Sequence, residues 1–263
     1  MSLQAKLAAF GGDVWGSRRC FAFWPWPAVV CGMWEWKFTE DDYRCLTHFI
    51  KPGDMLLTKS QPYFLSNYFI AGSVFKHLAV YTGAVKGIKK NGHGFITAPK
   101  SLGLDKLHAT TFSIGEYQRT VTHAISEGVV CQDILRLVGH CDYVMVVRPW
   151  KTAAQQMAIV DFALKQVGLG YNFDFTPKGP PELYCTELGS ACLKEIDVEL
   201  PETVKMRVSL LGKQGDAYLA DAFVAKYDPV CCSVSCFQPS FFRSSPFGDI
   251  IRQKLLKAEN AGV

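Results

Sequence analysis

The sequence predicts an α+β domain, in which apolar strands and amphipathic helices alternate along one chain. Residues 143–147 form a continuous apolar run, which is typical of a central strand buried on both faces. Residues 74–81 alternate in polarity, so that His77 and Tyr81 share one face of a strand. After Thr152, apolar residues recur at helical spacing. These patterns predict a sheet packed against helices.

The first forty residues predict an aromatic arm rather than a regular helix. Prolines at positions 25 and 27 interrupt helical structure and favour an extended backbone. Aromatic side chains at this density are typical of a contact surface. We interpret Phe21, Trp24 and Trp26 as contacts to a protein assembly or a membrane surface. The alternative is that the arm, residues 1–40, folds back on its own domain.

The rest of the chain divides into a domain at residues 41–200 and an extension at residues 201–263 that packs on it. The predicted elements of the domain are helices at 41–49, 61–70, 132–138 and 152–167, strands at 55–58, 74–81, 119–125 and 143–147, and a helix that begins at Cys185. The extension has helical patterns at 216–225 and 249–258. We therefore predict one main domain with additions at both ends.

The composition argues against several classes of protein. Apolar residues make up 49% of the chain and charged residues 20%, as in an ordinary globular protein. The net charge of +4 is small and scattered, which argues against nucleic-acid binding. The sequence shows neither the pattern of a secretory signal nor an apolar run long enough to cross a membrane. We expect a cytoplasmic protein, with delivery as part of a larger particle left open.

Ten cysteines at irregular spacing indicate reduced thiols rather than a disulfide framework. The tightest group, Cys231, Cys232 and Cys236, lacks a second pair of ligands at the spacing of a metal site. We interpret this group as structural. No cofactor and no metal are therefore expected.

Cys185 differs from the other thiols because it stands at the start of a predicted helix. Pro180 and Pro181 prevent a helix before Tyr184, and the residues after Cys185 follow a helical pattern. Unpaired N–H groups and the positive end of the helix dipole favour a thiolate at this position. We therefore expect a lowered pKa and a nucleophilic thiol, with a buried structural thiol as the alternative.

Two histidines on predicted strands supply what a thiol nucleophile needs. Cysteine catalysis requires an imidazole that takes the thiol proton and a third polar group that holds this imidazole in one tautomer. His77 lies on the strand at 74–81, and His123 lies on the strand at 119–125. Cys185, His77 and His123 are therefore the candidate catalytic residues.

Four short motifs follow one another in the chain: residues 51–57, Gly72-Ser73 with residues 77–83, Tyr171 with Phe175, and residues 184–188. In this order they resemble the YiiX/YaeF-like permuted papain-like amidases, a branch of the NlpC-type superfamily. The histidine strand precedes the cysteine helix, the reverse of the ordinary papain order. The resemblance covers about residues 50–200. It implies a circularly permuted papain-like fold with a central antiparallel sheet packed on the helix that bears the cysteine.

The same resemblance implies a role for each candidate catalytic residue. It makes Cys185 the nucleophile and His77 the general base of an acyl transfer. The third place falls on His123, where the nearest relatives often have glutamate and the wider superfamily often has histidine. The backbone N–H of Cys185 would contribute to the oxyanion hole.

The function implied is that of a cysteine amidase or endopeptidase-like hydrolase, which cleaves an amide or ester bond through an acyl-thioester intermediate. Peptidoglycan peptides and lipid-linked amides or esters are the substrate classes that the resemblance suggests. Tyr81, Tyr171 and Tyr184 stand within the matching motifs and are the candidate substrate-binding residues. The alternative is a non-catalytic structural or binding subunit of a larger assembly that retains the fold.

Overall fold

A computed structural model describes most of the predicted domain and parts of the regions on either side. The described residues are 20–23, 26–29, 37–59, 73–85, 90–91, 95–96, 119–139, 141–207, 214–237 and 245–260. The predicted helix at 61–70 and the side chains of Phe21, Trp24 and Trp26 lie outside them. The predicted boundaries after residues 40 and 200 stay predictions.

Helices and strands alternate through the described part of the chain. The helices are α1 (Glu40–Phe49), α2 (Ile134–Val138), α3 (Ala153–Lys165), α4 (Cys185–Glu195), α5 (Ala220–Lys226) and α6 (Gly248–Asn260). The strands are β1 (Cys20–Phe23), β2 (Trp26–Val29), β3 (Met55–Lys59), β4 (His77–Gly83), β5 (Lys90–Asn91), β6 (Phe95–Ile96), β7 (Thr120–Ile125), β8 (Gly128–Asp133), β9 (Tyr143–Val147), β10 (Gly170–Tyr171), β11 (Glu182–Leu183), β12 (Thr203–Arg207), β13 (Gln214–Tyr218) and β14 (Pro229–Cys232).

A central antiparallel sheet organises the domain, which confirms the predicted α+β class. Its strand order is β14-β9-β3-β4-β7-β8-β6-β5. Each pair of neighbours in this order is antiparallel. β9 lies next to β3, and all five of its residues are buried, as its continuous apolar sequence predicts.

Both faces of the sheet are covered because alternate residues of each strand enter different apolar clusters. Leu78 and Val80 of β4 belong to a cluster that includes Leu188 of α4 and Ile159 of α3. Ala79 belongs to a second cluster, which contains residues of α1 and α2. α4 therefore lies against one face of the sheet, and α1 and α2 lie against the other.

The turn before β3 is fixed by a buried carboxylate. Asp54 is fully buried and accepts two hydrogen bonds from Arg148, at 2.8 and 2.7 Å, and one from Trp150 Nε1 at 3.0 Å. Gly53 has a φ of +86°, a conformation that glycine adopts without strain. Gly53 and Asp54, which lie in the first of the four motifs, are thus accounted for by their contacts within the fold.

The region after residue 200 is built into the domain. β14 forms one edge of the described sheet through its pairing with β9, and Phe223 of α5 is fully buried in the first cluster. The predicted helix at 216–225 is wrong in its first part, because residues up to 218 pair with β12 as β13 and α5 begins at residue 220. α6 covers the predicted helix at 249–258.

Part of the predicted arm has an extended backbone. β1 and β2 form an antiparallel pair, in agreement with the extended backbone predicted around the prolines. Among the described residues, no helix is both long and apolar enough to span a bilayer.

Candidate active site

The helix that begins at Cys185 contacts the sheet closely at Gly189. A Cβ atom at Gly189 would lie 2.8 Å from the side chain of Leu78 and 3.2 Å from that of Phe223. Only glycine fits this contact without a shift of its neighbours. The contact brings α4 onto β4, and Cys185 at the start of α4 is buried, with 4% of its surface exposed.

The thiol of Cys185 lies at the backbone of the histidine strand. Burial raises the pKa of Cys185 to about 11, while the N–H groups of Leu78, Thr186 and Cys185 itself act to lower it. The expectation of a lowered pKa is therefore wrong: the N–H groups act in the predicted direction, but the loss of hydration outweighs them. Leu78 is the residue after His77, so the thiol lies beside the start of β4.

His77 and His123 are in direct contact. The distance from His77 Nε2 to His123 Nδ1 is 2.7 Å, and the two rings are inclined by 78°. The strand register explains the contact, because Ala79 of β4 pairs with His123 of β7 and His77 lies two residues along on the same face. The structure thus brings together the two predicted histidines, on the face of β4 that carries Ala79, whereas α4 lies on the face of Leu78 and Val80. Among the described residues, no hydrogen bond joins Cys185 to either ring.

Both imidazoles are neutral at pH 7. Burial lowers the pKa of His77 to about 4. Burial and the charge of His77 lower the pKa of His123 well below its usual value. In a neutral pair, one ring nitrogen donates the shared hydrogen bond and the other accepts it.

The direction of this hydrogen bond depends on which nitrogen of His123 carries its proton. His123 Nε2 is buried and has no hydrogen-bond partner among the described residues. When His123 carries its proton on Nε2, its Nδ1 accepts from the Nε2–H of His77. His77 Nδ1 is then unprotonated, which is the form that accepts a proton. The opposite direction would place a proton on His77 Nδ1 and leave that ring unable to act as a base through this atom.

A buried carboxylate on α4 holds the loop that precedes Cys185. Glu187 Oε1 accepts from the backbone N–H groups of Lys178, at 2.6 Å, and Gly179, at 2.7 Å. Glu187 Oε2 accepts from the Asn172 side chain at 3.0 Å and from the backbone N–H of Tyr184 at 3.4 Å. Glu187 therefore fixes the loop before the cysteine to the first turn of the cysteine helix.

The residues on either side of Cys185 bind the backbone N–H and C=O of one residue in the C-terminal region, Tyr218. Thr186 Oγ1 donates to the carbonyl oxygen of Tyr218 at 2.7 Å. The backbone N–H of Tyr218 donates to the hydroxyl of Tyr184 at 3.1 Å. The end of β13 is thereby attached to the start of α4.

A second buried carboxylate holds the residues before His77. Asp221 of α5 is fully buried, and it accepts from the backbone N–H groups of Val74, at 2.7 Å, and Phe75, at 2.8 Å. The hydroxyl of Ser245 also donates to Asp221. This contact fixes the approach to β4, on which His77 is the first residue.

A narrow cleft, with space for about one water molecule, lies beside Cys185. Its lining residues come from the approach to β4, the loop before α4, the start of α4 and the end of β13: Phe75, Lys76, Phe175, Tyr184, Cys185, Thr186, Ala217, Tyr218, Leu219 and Ala220. Most of this surface is apolar.

The three predicted substrate-binding tyrosines are placed differently. Tyr184 lines the cleft. Tyr171 contacts Phe175, which also lines the cleft, with ring centroids 6.0 Å apart. Tyr81 is buried in the second apolar cluster, beside Val121, and is not among the described residues that line the cleft. The assignment of Tyr81 to substrate binding stays a prediction.

Glu187, Tyr218 and Asp221 shape the site without having been predicted from the sequence. Glu187 could have been found, since it stands three residues after Tyr184, in the position of a helix-capping glutamate. Asp221 lies about 146 residues from Phe75 in the chain. No local pattern signals a contact over that distance.

No metal site accompanies the thiol among the residues that the structure describes. No group of three or more histidine, cysteine or acidic side chains there is arranged to hold a metal ion. Cys231 and Cys236 are buried, and the Cys236 thiol lies 3.6 Å from the carbonyl oxygen of Val144. These contacts agree with a structural role for the two thiols.

Comparison with protein families identifies the chain. Residues 49–233 match the permuted papain-like amidase enzymes, described as the YaeF/YiiX, C92 family. The chain belongs to this family. The match includes Cys185, His77 and His123, and it continues through β14 at the sheet edge. Membership of the YaeF/YiiX family supports an amidase or peptidase of the papain-like class.

No curated protein matches the chain. Among solved structures, the chain is similar to the metalloprotein YiiX from Escherichia coli O157:H7, with 13% identity and a TM-score of 0.48. The similarity covers 69% of this chain and 96% of that one.

Proposed function

We propose that this protein is a cysteine hydrolase that cleaves an amide or ester bond through an acyl-thioester, with Cys185 as nucleophile, His77 as general base and His123 as the group that orients the base. The observation that carries the proposal is the 2.7 Å contact between His77 and His123; the N–H of Leu78, the residue after His77, is directed at the Cys185 thiol. A thiol, an imidazole and a third polar group are what cysteine catalysis requires.

Catalysis begins with the Cys185 thiol and the His77 imidazole both uncharged. Cys185 Sγ attacks the substrate carbonyl carbon while its proton moves to His77 Nδ1, because Nε2 of the same ring is engaged by His123. His123 Nδ1 accepts the hydrogen bond from His77 Nε2–H and stabilises the imidazolium that forms. The proton moves during the attack, since the thiol and the imidazole are both uncharged at rest.

The remaining steps return the enzyme to its starting state. His77 gives its proton to the leaving nitrogen or oxygen as the bond to the carbonyl carbon breaks, which leaves a thioester on Cys185. Water then attacks the thioester and gives a proton to His77. The carbon–sulfur bond breaks, the acid is released, and the sulfur recovers its proton from His77.

Two substrate classes fit this chemistry: peptide amides of the peptidoglycan type, and amides or esters linked to lipids. Phe175 and Tyr184 beside Cys185 offer apolar surface to an acyl chain. The aromatic arm, through Phe21, Trp24 and Trp26, is a candidate contact to a protein assembly or a membrane surface.

A non-catalytic role has one observation in its favour. Burial leaves Cys185 with 4% of its surface exposed and raises its pKa to about 11, which are the properties of a structural thiol. In this second candidate, the chain retains the fold as a binding or structural subunit of a larger assembly. The two candidates differ in whether an acyl group is ever attached to Cys185.

The deciding experiment is to trap the acyl-enzyme. The protein is mixed with 4-nitrophenyl pentanoate at pH 7, quenched in acid, and analysed by intact-protein and peptide mass spectrometry. We expect an added pentanoyl group on the peptide that contains Cys185 and a burst of nitrophenol equal to the enzyme concentration.

Two variants complete the experiment. Cys185→Ala removes both the burst and the adduct, whereas Cys45→Ala, at an exposed thiol on α1, retains both. An adduct that persists in Cys185→Ala, or a wild-type protein that acylates no residue, contradicts the proposed mechanism and favours the non-catalytic role.

A further inference from the structure

The thiol of Cys185 is closed off from solvent in this structure. Cys185 has 4% of its surface exposed, and the cleft beside it holds about one water molecule. An acyl substrate or a thiol reagent is larger than this space. Either one therefore reaches the sulfur only when a residue that lines the cleft moves.

Three of the described lining residues are partly exposed, so that they border both the cleft and solvent: Lys76, Phe175 and Tyr218. The backbone N–H of Lys76 donates to the carbonyl oxygen of Thr58 in β3 at 2.9 Å. The backbone N–H and carbonyl of Tyr218 are both bound by the residues on either side of Cys185. Phe175 differs because it lies in the loop between β10 and β11. Loops move more readily than the elements that they connect, which makes Phe175 the candidate for movement.

Phe175 has a backbone conformation that a residue with a side chain rarely adopts. Its φ is +53°, in the left-handed region, where a bulky residue is strained. Such strain persists only where the surrounding contacts hold the residue in place. The centroid of the Phe175 ring lies 5.8 Å from that of Tyr184 and 6.0 Å from that of Tyr171. Contacts of the ring thus hold Phe175 beside the thiol against an unfavourable backbone conformation.

One buried side chain fastens the loop that carries Phe175. Asn172 Nδ2 donates to the carbonyl oxygen of Thr176 at 2.8 Å and to Glu187 Oε2 at 3.0 Å. Asn172 Oδ1 accepts from the backbone N–H of Asp174 at 3.1 Å. Phe175 lies between these two loop residues. Asn172 therefore joins the loop, on both sides of Phe175, to the cysteine helix.

We propose that Phe175 is a gate over the Cys185 thiol, which opens when the loop of residues 173–177 moves outward and which Asn172 fastens closed. The outward movement takes the ring away from Tyr184 and lets the backbone of Phe175 leave the left-handed region. A loop that is fastened by a few hydrogen bonds opens locally without unfolding of the domain. The gate adds a conformational step before the attack of the thiol in the proposed hydrolase, and its test requires no turnover.

The test measures how fast the thiol is alkylated. The wild-type protein and its variants are treated with iodoacetanilide, and the rate at each cysteine is followed by peptide mass spectrometry. Phe175→Ala should react at Cys185 about tenfold faster than the wild type, the lower end of the effect of exposing a phenylalanine side chain. Asn172→Ala should also react faster at Cys185, because it releases the loop.

Two residues near Cys185 serve as controls. Phe173 lies in the same loop, with its ring centroid 4.8 Å from that of Tyr171, but it is not among the described lining residues. Phe173→Ala should therefore leave the rate at Cys185 unchanged. Cys192 is fully buried on the same helix as Cys185 and should stay unreactive in every variant, since only unfolding of the domain would expose it.

A second reagent tests the gate in the wild-type protein. Iodoacetamide has the same reactive group as iodoacetanilide and lacks its phenyl ring. Because an open gate admits both reagents, the ratio of their rates at Cys185 should be close to the ratio at Cys45, an exposed thiol. A ratio that strongly disfavours the larger reagent at Cys185 indicates a rigid, narrow channel and overturns the proposal.

The outcomes for the gate and for the hydrolase function are distinct. Faster alkylation of Cys185 in Phe175→Ala, with Cys192 unreactive, supports the gate. An unchanged rate in Phe175→Ala, an equal acceleration in Phe173→Ala, or a parallel acceleration at Cys192 overturns it. Acylation of Cys185 by 4-nitrophenyl pentanoate, together with alkylation that does not depend on Phe175, contradicts only the gate. Alkylation that depends on Phe175, in a protein whose Cys185 this ester never acylates, contradicts the hydrolase function and supports the gate.

Discussion

The imidazoles of His77 and His123 lie on neighbouring strands of the sheet, whereas the surroundings of the Cys185 thiol are held by side chains from distant parts of the chain. On the histidine side, the register of β4 and β7 sets the distance between the rings. On the cysteine side, Glu187 fixes the preceding loop, and Tyr184 and Thr186 bind the backbone of Tyr218 at the end of β13.

This difference indicates how each side responds to mutation. A ladder of backbone hydrogen bonds does not depend on any one side chain, so substitutions on the histidine side should change chemistry more than structure. A buried carboxylate that satisfies several N–H groups leaves them without partners when it is removed. Substitutions on the cysteine side should therefore change local stability as well as activity.

The largest effect is expected for His77→Ala. This change removes the proposed base and should lower kcat/KM for 4-nitrophenyl pentanoate by about 10³-fold, within the range of general acid–base catalysis. Its unfolding midpoint in urea should stay close to that of the wild type. His48→Ala, at an exposed histidine on α1, is the control and should retain full activity.

A smaller loss is expected for His123→Ala, of about 10²-fold in kcat/KM, because His123 orients the base without transferring the proton itself. His123→Glu should recover part of the activity, since a carboxylate also accepts from His77 Nε2–H. The double variant His77→Ala/His123→Ala should be no slower than His77→Ala alone, because the two residues act as one unit. Full additivity of the two losses would contradict the assignment of His123.

Glu187→Gln examines the cysteine side. An amide group cannot accept hydrogen bonds on both of its terminal atoms, so backbone N–H groups in the loop before Cys185 lose their acceptor. The free energy of unfolding should fall by about 2 kcal/mol, and the amides of Lys178 and Gly179 should exchange hydrogen faster. Glu182→Gln, at the exposed first residue of β11, is the control. Unchanged exchange at both amides would contradict the role given to Glu187.

The pH dependence of stability also distinguishes the histidine side from the cysteine side. Because burial lowers the pKa of His77 to about 4, the unfolded chain binds a proton near pH 6.5 that the folded chain does not bind until about pH 4. The free energy of unfolding should therefore fall as the pH decreases from about 6.5 to about 4 and is highest above this range. His77→Gln should reduce the slope, measured by urea unfolding at pH 7, 6 and 5. An unchanged slope would show that His77 is not buried in its neutral form.

Much of the histidine side could be predicted from the sequence because it is built from local patterns. The alternation of residues 74–81 and 119–125 gives two strands with a histidine on a defined face, and the structure contains both strands. The start of α4 was also predictable, since Pro180 and Pro181 end the preceding segment.

The cysteine side could be predicted only in part. Helix position gives the direction in which nearby N–H groups shift the pKa of Cys185, but it does not give the burial that decides its value. The cleft needs residues 217–220, which pack beside Cys185 although they are more than thirty residues away in the chain. The contact between Asp221 and the residues before β4 joins positions that are still farther apart in the sequence.

The backbone of Tyr218, bound between Tyr184 and Thr186, also sets the order in which the site is completed during synthesis. A ribosome makes His77, His123 and Cys185 before it makes any of the residues that close the cleft at β13 and α5. A nascent chain that ends soon after α4 therefore contains the three proposed catalytic residues but lacks a wall of the cleft and the Asp221 contact that fixes the histidine strand. The cleft can form only after the C-terminal region has left the ribosome.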